Sequence, residues 1–296
     1  MLSRGYRRKS SGFILAGEND TASVIGDEPA QVKNKFPRIT VAVDANRRNG
    51  IKLIRDSVPE TEVVILDDAF QHRWVKPGLS IVVTDYNRLF TRDYLLPYGR
   101  LREHRSGITR ADLILVSKTP PDISPIDRRL IVREIAPQDN QNLYFTAIDY
   151  LDPVNIHSGE PAGMTMAEMG EMGSHILLVT GIASPEPLRK YIEQSGADIE
   201  HIVFNDHHIF STADLELIRR KYDLLPAENR CIITTEKDSV RLRETNNLRE
   251  LFDDNFYYLP ISIKFLNNDK EEFDNHIIQY VRKDKANRNI SRVEGN

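Results

Sequence analysis

Short apolar runs that end in polar residues recur along this chain, and they constrain its fold more than any other feature. Val63 to Leu66 runs into Asp67 and Asp68, Leu79 to Thr84 ends at Asp85, and Leu113 to Ser117, His175 to Thr180 and Arg230 to Thr235 follow. Such runs, rich in Val, Ile and Leu and lacking alternation, suit parallel strands covered by helices on both faces. Helical stretches lie between them. Arg47 to Ser57 sets Ile51, Leu53 and Ile54 among polar neighbours, and Ile126 to Ile135 follows Pro125. The alternation predicts an α/β fold with a mostly parallel sheet flanked by helices.

With 296 residues, the chain is long enough for two domains. The alternation breaks between Leu151 and Ser174, where turn chemistry at His157 to Pro161 and an aperiodic Met- and Gly-containing stretch predict a linker at residues 151–174. Residues 1–150 then form one α/β domain and residues 175–285 a smaller second one. The polar end, residues 286–296, is expected to be a disordered tail. A net charge of -4 gives no global basic surface for nucleic acid. The single cysteine, Cys231, sits inside an apolar run and reads as a core thiol. No run approaches the roughly 20 apolar residues of a membrane span.

In open α/β sheets the ligand crevice lies outside the carboxyl ends of the strands, so Asp67 and Asp68 stand either where a phosphate-bound Mg2+ would be held or in a solvated turn. Asp27, in Gly26 to Pro29 (GDEP), reads from the residues alone as a helix cap. The long loop from Asp93 to Asp112 carries Arg100, Arg102, Arg105 and Arg110 with Glu103, a set suited to phosphate oxygens; Glu103 is either a metal ligand or an ion-pair partner of Arg102. Asn205 to His208 brings an acid and two histidines to a strand end, a plausible acid-base cluster. Arg4, Arg7, Arg8 and Lys9 read as a solvated basic arm or as phosphate contacts.

Taken in order, SRGYRRK (Ser3 to Lys9), GDEP, LDDAFQHR (Leu66 to Arg73), LLPYGRLRE (Leu95 to Glu103), VTGIASP (Val179 to Pro185), FNDHHIF (Phe204 to Phe210) and TTEKD (Thr234 to Asp238) resemble the tetraacyldisaccharide 4'-kinase family, the lipid A 4'-kinases of Gram-negative bacteria. The resemblance implies a P-loop-kinase-like core joined to a second α/β domain. It implies transfer of the γ-phosphate of ATP to the 4'-hydroxyl of a tetraacyl-disaccharide 1-phosphate, the lipid A disaccharide precursor, with ATP and Mg2+ as cofactors. It also implies a cytoplasmic protein, peripheral at the cytoplasmic face of the inner membrane, with no nucleic acid or protein partner. By the family pattern Asp27 is the general base, and His207 pairs with it across a cleft that domain closure completes. Asp67, Asp68 and Glu103 lie on the metal side, and Arg4, Gln71, His72 and Arg102 lie near phosphates or sugar.

This sequence departs from the pattern in two places. Ala69 stands where the family usually has Gly. The G-x-x-x-x-G-K-[ST] loop that cradles phosphates is not among these 296 residues, which contain no Gly-Lys pair. The chain therefore looks like an N-terminally truncated copy, expected to bind ATP poorly and to have little kinase activity by itself. The alternatives are a non-catalytic, glycolipid-binding remnant of such a kinase and an unrelated nucleotide-dependent α/β enzyme.

Overall fold

The computed structural model describes residues 1–293 apart from 19, 246, 253 and 254, with side chains as far as residue 283. Along the chain come β1 (Leu2–Ser3), β2 (Ile14–Leu15), α1 (Ala22–Ile25), α2 (Asp27–Lys35), β3 (Ala42–Val43) and α3 (Arg47–Ser57). After a long stretch without regular structure follow β4 (Ile81–Asp85), β5 (Leu113–Ser117), α4 (Pro125–Ile135), β6 (Asn142–Tyr150), β7 (Val154–Asn155) and α5 (Met166–Glu171). Then come β8 (His175–Thr180), α6 (Glu186–Gln194), β9 (Asp198–Val203), α7 (Thr212–Leu224), β10 (Arg230–Thr235) and α8 (Glu236–Arg243). The last elements are α9 (Leu248–Leu251), β11 (Phe256–Leu259), β12 (Ile261–Phe265) and α10 (Lys270–Val293). The α/β class read from the sequence is the class observed.

The chain forms two compact units that are not consecutive halves: Met1–Ser57 with Tyr150–Ile261, and Val58–Asp149 with Ser262–Asn296. In the first unit a five-stranded sheet runs β7-β11-β10-β8-β9. Its pairings are parallel except for β7 on β11. Ile176, Leu178, Cys231 and Ile233 point to one face with Met166, Met169, Leu188 and Ile192, while Leu177, Val179 and Ile232 meet Leu215, Ile218, Tyr222 and Phe256 on the other. A three-stranded sheet, β1-β3-β2, belongs to the same unit. The second unit holds the sheet β12-β6-β5-β4, with β4, β5 and β6 parallel over a core of Ile114, Val116, Ile131, Ile135 and Phe145.

Several expectations are corrected here. The run at Val63 to Leu66 joins none of the sheets, and Ile65 is 66% exposed. Its composition is that of a buried strand, but a parallel strand also needs partners from distant segments, and among the described residues only Leu66 forms a bridge. Residues 151–174 are not a loose linker: Met166 and Met169 are buried against the β8 and β10 side chains, and Thr165 and Glu168 cap α5 reciprocally. The basic segment is not a free arm. Leu2 and Ser3 pair with β3, the Met1 ammonium donates to the Thr40 carbonyl at 2.7 Å, and Lys9 N donates to Ser23 O at 2.8 Å. Strands β11 and β12 are separated by Pro260, which has no amide donor for a ladder. The end expected to fray is helical as far as Val293; residues 294–296 lie outside the described residues.

Candidate active site

Asp27 opens α2, but its carboxylate does not cap it. The helix follows Gly26, whose φ of +95 is a conformation that suits glycine, and a Cβ there would meet the Tyr6 carbonyl oxygen at 3.1 Å. Asp27 Oδ2 instead lies 2.9 Å from His207 Nδ1 and 3.2 Å from Arg241 Nε. Asp27, His207 and Arg241 all belong to the first unit, so the pair forms within one unit rather than across a closing domain boundary.

Helices α2 and α8 bring these groups together. Val240 of α8 packs in one apolar cluster with Ala30 of α2, Ile25 and Val43. At the far end of α2, Lys35 Nζ donates to Glu236 Oε2 at 3.0 Å, while Asp27 at its start meets Arg241. The two helices therefore run antiparallel. The start of α8 is fixed by Thr235, whose hydroxyl accepts from Asp238 N at 2.9 Å and donates to Asp238 Oδ2 at 2.7 Å.

Asp238 is wholly buried and works harder than a cap. Its Oδ2 also accepts from Gly181 N at 2.9 Å, and its Oδ1 faces Arg241 Nη1 at 3.2 Å. The same Nη1 donates to the carbonyls of Gly181 and His208, at 3.3 and 3.2 Å. His207 N donates to Gly181 O at 3.1 Å. Gly181 thus ties the end of β8, the His207 loop and α8 together. A Cβ there would come 3.1 Å from Asp238 Oδ1. Buried charges of this kind persist only when paired and hydrogen-bonded.

His207 itself has φ +60, a left-handed conformation uncommon outside glycine. Strain of this kind persists where the surroundings over-determine it. Lys237 Nζ lies 3.2 Å from the second ring nitrogen, Nε2, and Tyr6 meets the ring edge-on. The neighbouring His208 serves the scaffold: it stacks on Phe204 and contacts Asp214 Oδ2 at 3.0 Å, an acid that completes the α7 capping box with Ser211. The sequence singles out none of Lys237, Asp238 and Arg241 as a site residue: charges at a helix start, as at Lys237 and Asp238, read as caps, and a base in the last turn, as at Arg241, reads as solvated.

In the second unit, Asp68 has φ +44 and its carboxylate is held bidentately by Arg102, through Nη1 at 2.9 Å and through a short Nη2 contact. Ala69 has no positive φ; the left-handed turn falls one residue earlier. Glu103 accepts from Gln71 Nε2 at 3.1 Å and from Arg110 Nη2 at 2.8 Å on each oxygen. Asp67 and His72 are half-buried nearby in sequence, and Arg4, in the first unit, is exposed. Among the described residues no group of three His, Cys, Asp or Glu side chains is arranged to hold a metal ion. Asp68 and Glu103 are engaged by arginines instead. Cys231 is inert: burial pushes its thiol up to about 12.

The family model for tetraacyldisaccharide-1-P 4'-kinase (LpxK) matches residues 1–282. The tetraacyldisaccharide 4'-kinase of Phocaeicola vulgatus is 46% identical over 295 residues, covering 98% of this chain and 80% of that protein. That of Bacteroides thetaiotaomicron is 45% identical over 300 residues, covering 99% and 79%. A crystal structure of LpxK from Aquifex aeolicus, described as an "apo" form in complex with ATP, superposes with a TM-score of 0.68 at 24% identity over 95% of this chain and 78% of that one. The chain belongs to the tetraacyldisaccharide-1-P 4'-kinase family.

Proposed function

We propose that this chain activates the 4'-hydroxyl of a tetraacyl-disaccharide 1-phosphate for phosphoryl transfer, with ATP as donor, and that Asp27 is the base. The observation that carries this reading is the asymmetry of the Asp27 carboxylate. Oδ2 is taken by His207 and Arg241, while Oδ1 accepts no hydrogen bond from the described residues. An acceptor hydroxyl at Oδ1 would give up its proton there as its oxygen forms the bond to phosphorus and the bond to the leaving oxygen breaks. His207 and Arg241 hold the carboxylate in place during that transfer, which limits the loss of rate from misorientation.

The residues present do not fit a P-loop, since no Gly precedes a Lys anywhere in the 296 residues. They do not fit a ready Mg2+ site either, because Asp68 and Glu103 are occupied by Arg102 and Arg110. No step is routed through either group. Arg102, Gln71, His72 and Arg4 remain candidates for contacts to phosphate or sugar, with Asp67, Asp68 and Glu103 on the metal side if the arginine pairs open. Action at a membrane surface accords with the lipid character of the acceptor, and ATP as donor favours the cytoplasmic face of the inner membrane.

The test is turnover of tetraacyldisaccharide 1-phosphate with Mg-ATP by the purified chain and by Asp27→Asn. A fall of about 10²–10⁴-fold in the variant is expected for loss of a general base; equal rates would sink the assignment. A second reading, a protein that binds the glycolipid without phosphorylating it, is favoured by the arginine pairs that occupy Asp68 and Glu103. Saturable binding of the disaccharide with no turnover by the unsubstituted chain would establish it.

A further inference from the structure

The Asp27–His207 pair leaves open which ring nitrogen of His207 carries the proton, and the second nitrogen answers it. A lysine ammonium has three donors and no acceptor, so the 3.2 Å contact of Lys237 Nζ with His207 Nε2 is attractive only when Nε2 offers a lone pair. The proton of a neutral ring is then on Nδ1, 2.9 Å from Asp27 Oδ2, where it can be donated to the carboxylate. The opposite tautomer fails twice: Nε2–H would point at ammonium protons, and the Nδ1 lone pair would face a carboxylate oxygen. An imidazolium fails at Nε2 for the first of these reasons. Asp206 Oδ2, at 3.8 Å from Nε2, is too far to offer that nitrogen an acceptor.

We propose that Lys237 is a positioning residue that keeps His207 Nε2 bare, so that a neutral ring with its proton on Nδ1 steers Asp27 by donating to Oδ2 and Oδ1 remains the basic oxygen. This deepens the reading of Asp27 as base. Lys237 can do so because it is carried one residue before a fully buried anchor: Asp238 is fastened to Thr235, Gly181 and Arg241, so the first turn of α8 cannot shift away from the ring. The left-handed backbone of His207, tied through its amide to Gly181 O, fixes the other partner. A tautomer set by the hydrogen bond at the far nitrogen is the usual way a protein chooses the working face of a histidine.

Long-range ¹H–¹⁵N spectra of the uniformly ¹⁵N-labelled chain test this without turnover, so the result stands apart from the activity assay. The His207 signals are identified by their loss in His207→Asn. Expected in the unsubstituted protein is a neutral ring with Nδ1 protonated and Nε2 bare. In Lys237→Met, where no ammonium opposes a proton on Nε2, that pattern gives way to a ring protonated at both nitrogens with its Nδ1–H still on Asp27, and in Lys237→Arg, which keeps a donor, it returns. A protonated Nε2 in the unsubstituted protein, including one donating to a neutral Lys237 amine, overturns the proposal. So does a Lys237→Met spectrum unchanged from the parent. Should Lys237→Met fail to fold, Lys237→Leu, which also lacks a donor, serves as the second variant, and the spectrum of the unsubstituted chain alone remains decisive.

Discussion

Asp238 with Arg241 in one unit, and Asp68 with Arg102 in the other, are the same chemical pair in two dielectric settings. The side chains of Asp238 and Arg241 are 0% and 5% exposed, those of Asp68 and Arg102 61% and 50%. In the first pair each charge is also hydrogen-bonded to backbone, so neither can leave without stranding the other. In the second, bidentate geometry is the main restraint, and water and salt compete with it. Under the proposed function the contrast separates two tasks. A base must be held still, and its supports are buried. Groups that meet a charged ligand must let go of one another, and these are left wet. The first pair therefore belongs to the frame of the Asp27–His207 pair, and the second stays open to water and salt.

The largest effect that would break this comparison is on stability. Asp238→Ala removes the acceptor of Gly181 N and Thr235 Oγ1 and leaves Arg241 with less charge compensation, and is expected to cost about 3–5 kcal/mol. Asp68→Ala is expected to cost no more than about 1 kcal/mol. Urea unfolding followed by circular dichroism measures both, and similar costs for the two would erase the distinction. Double-mutant cycles sharpen it. Asp238 with Arg241 should couple by about 0.5–3 kcal/mol and hold that value in salt. Coupling of Asp68 with Arg102 should start lower and fade toward zero as ionic strength rises past about 0.5 M, where screening acts over a few ångströms.

How much of this was legible beforehand depends on whether a signal is local. Strands β5, β8 and β10 and helix α3 coincide with the stretches expected, because an apolar run or an amphipathic period carries its own evidence. The Val63 to Leu66 run failed because strand pairing is a property of two segments. Helix α5 was overlooked although Thr165-x-x-Glu168 is a capping box readable in the sequence; at six residues it is too short to show a period. The Asp27–His207 pairing came from family resemblance, since 180 residues of separation leave no local trace. Arg241 stands three residues after Asp238, a spacing that pairs side chains on a helix. Nothing in that spacing says the pair is buried, and burial is what turns it from a surface bridge into a support.

The smallest expected effect is on pH dependence, and it distinguishes the unit that carries Asp27 and His207 from the other near neutrality. His201 on β9 contacts Thr180 Oγ1 through Nε2 at 2.9 Å, and burial, followed by the charge of Arg189, lowers its affinity for a proton. The unfolded chain therefore binds a proton at His201 more readily than the folded one. Stability contributed by this site is present above the ordinary histidine value near 6.5 and is lost as pH falls through it. Glu244, raised mainly by burial, works in the opposite direction and at more acid pH, so the histidine is isolated by difference. Melting temperatures of the parent and of His201→Gln, compared from pH 7.5 to 5.5, should diverge at the neutral end and converge toward the acid end. A constant difference across that range would mean that His201 titrates alike in both states, and that near-neutral sensitivity in the first unit arises elsewhere.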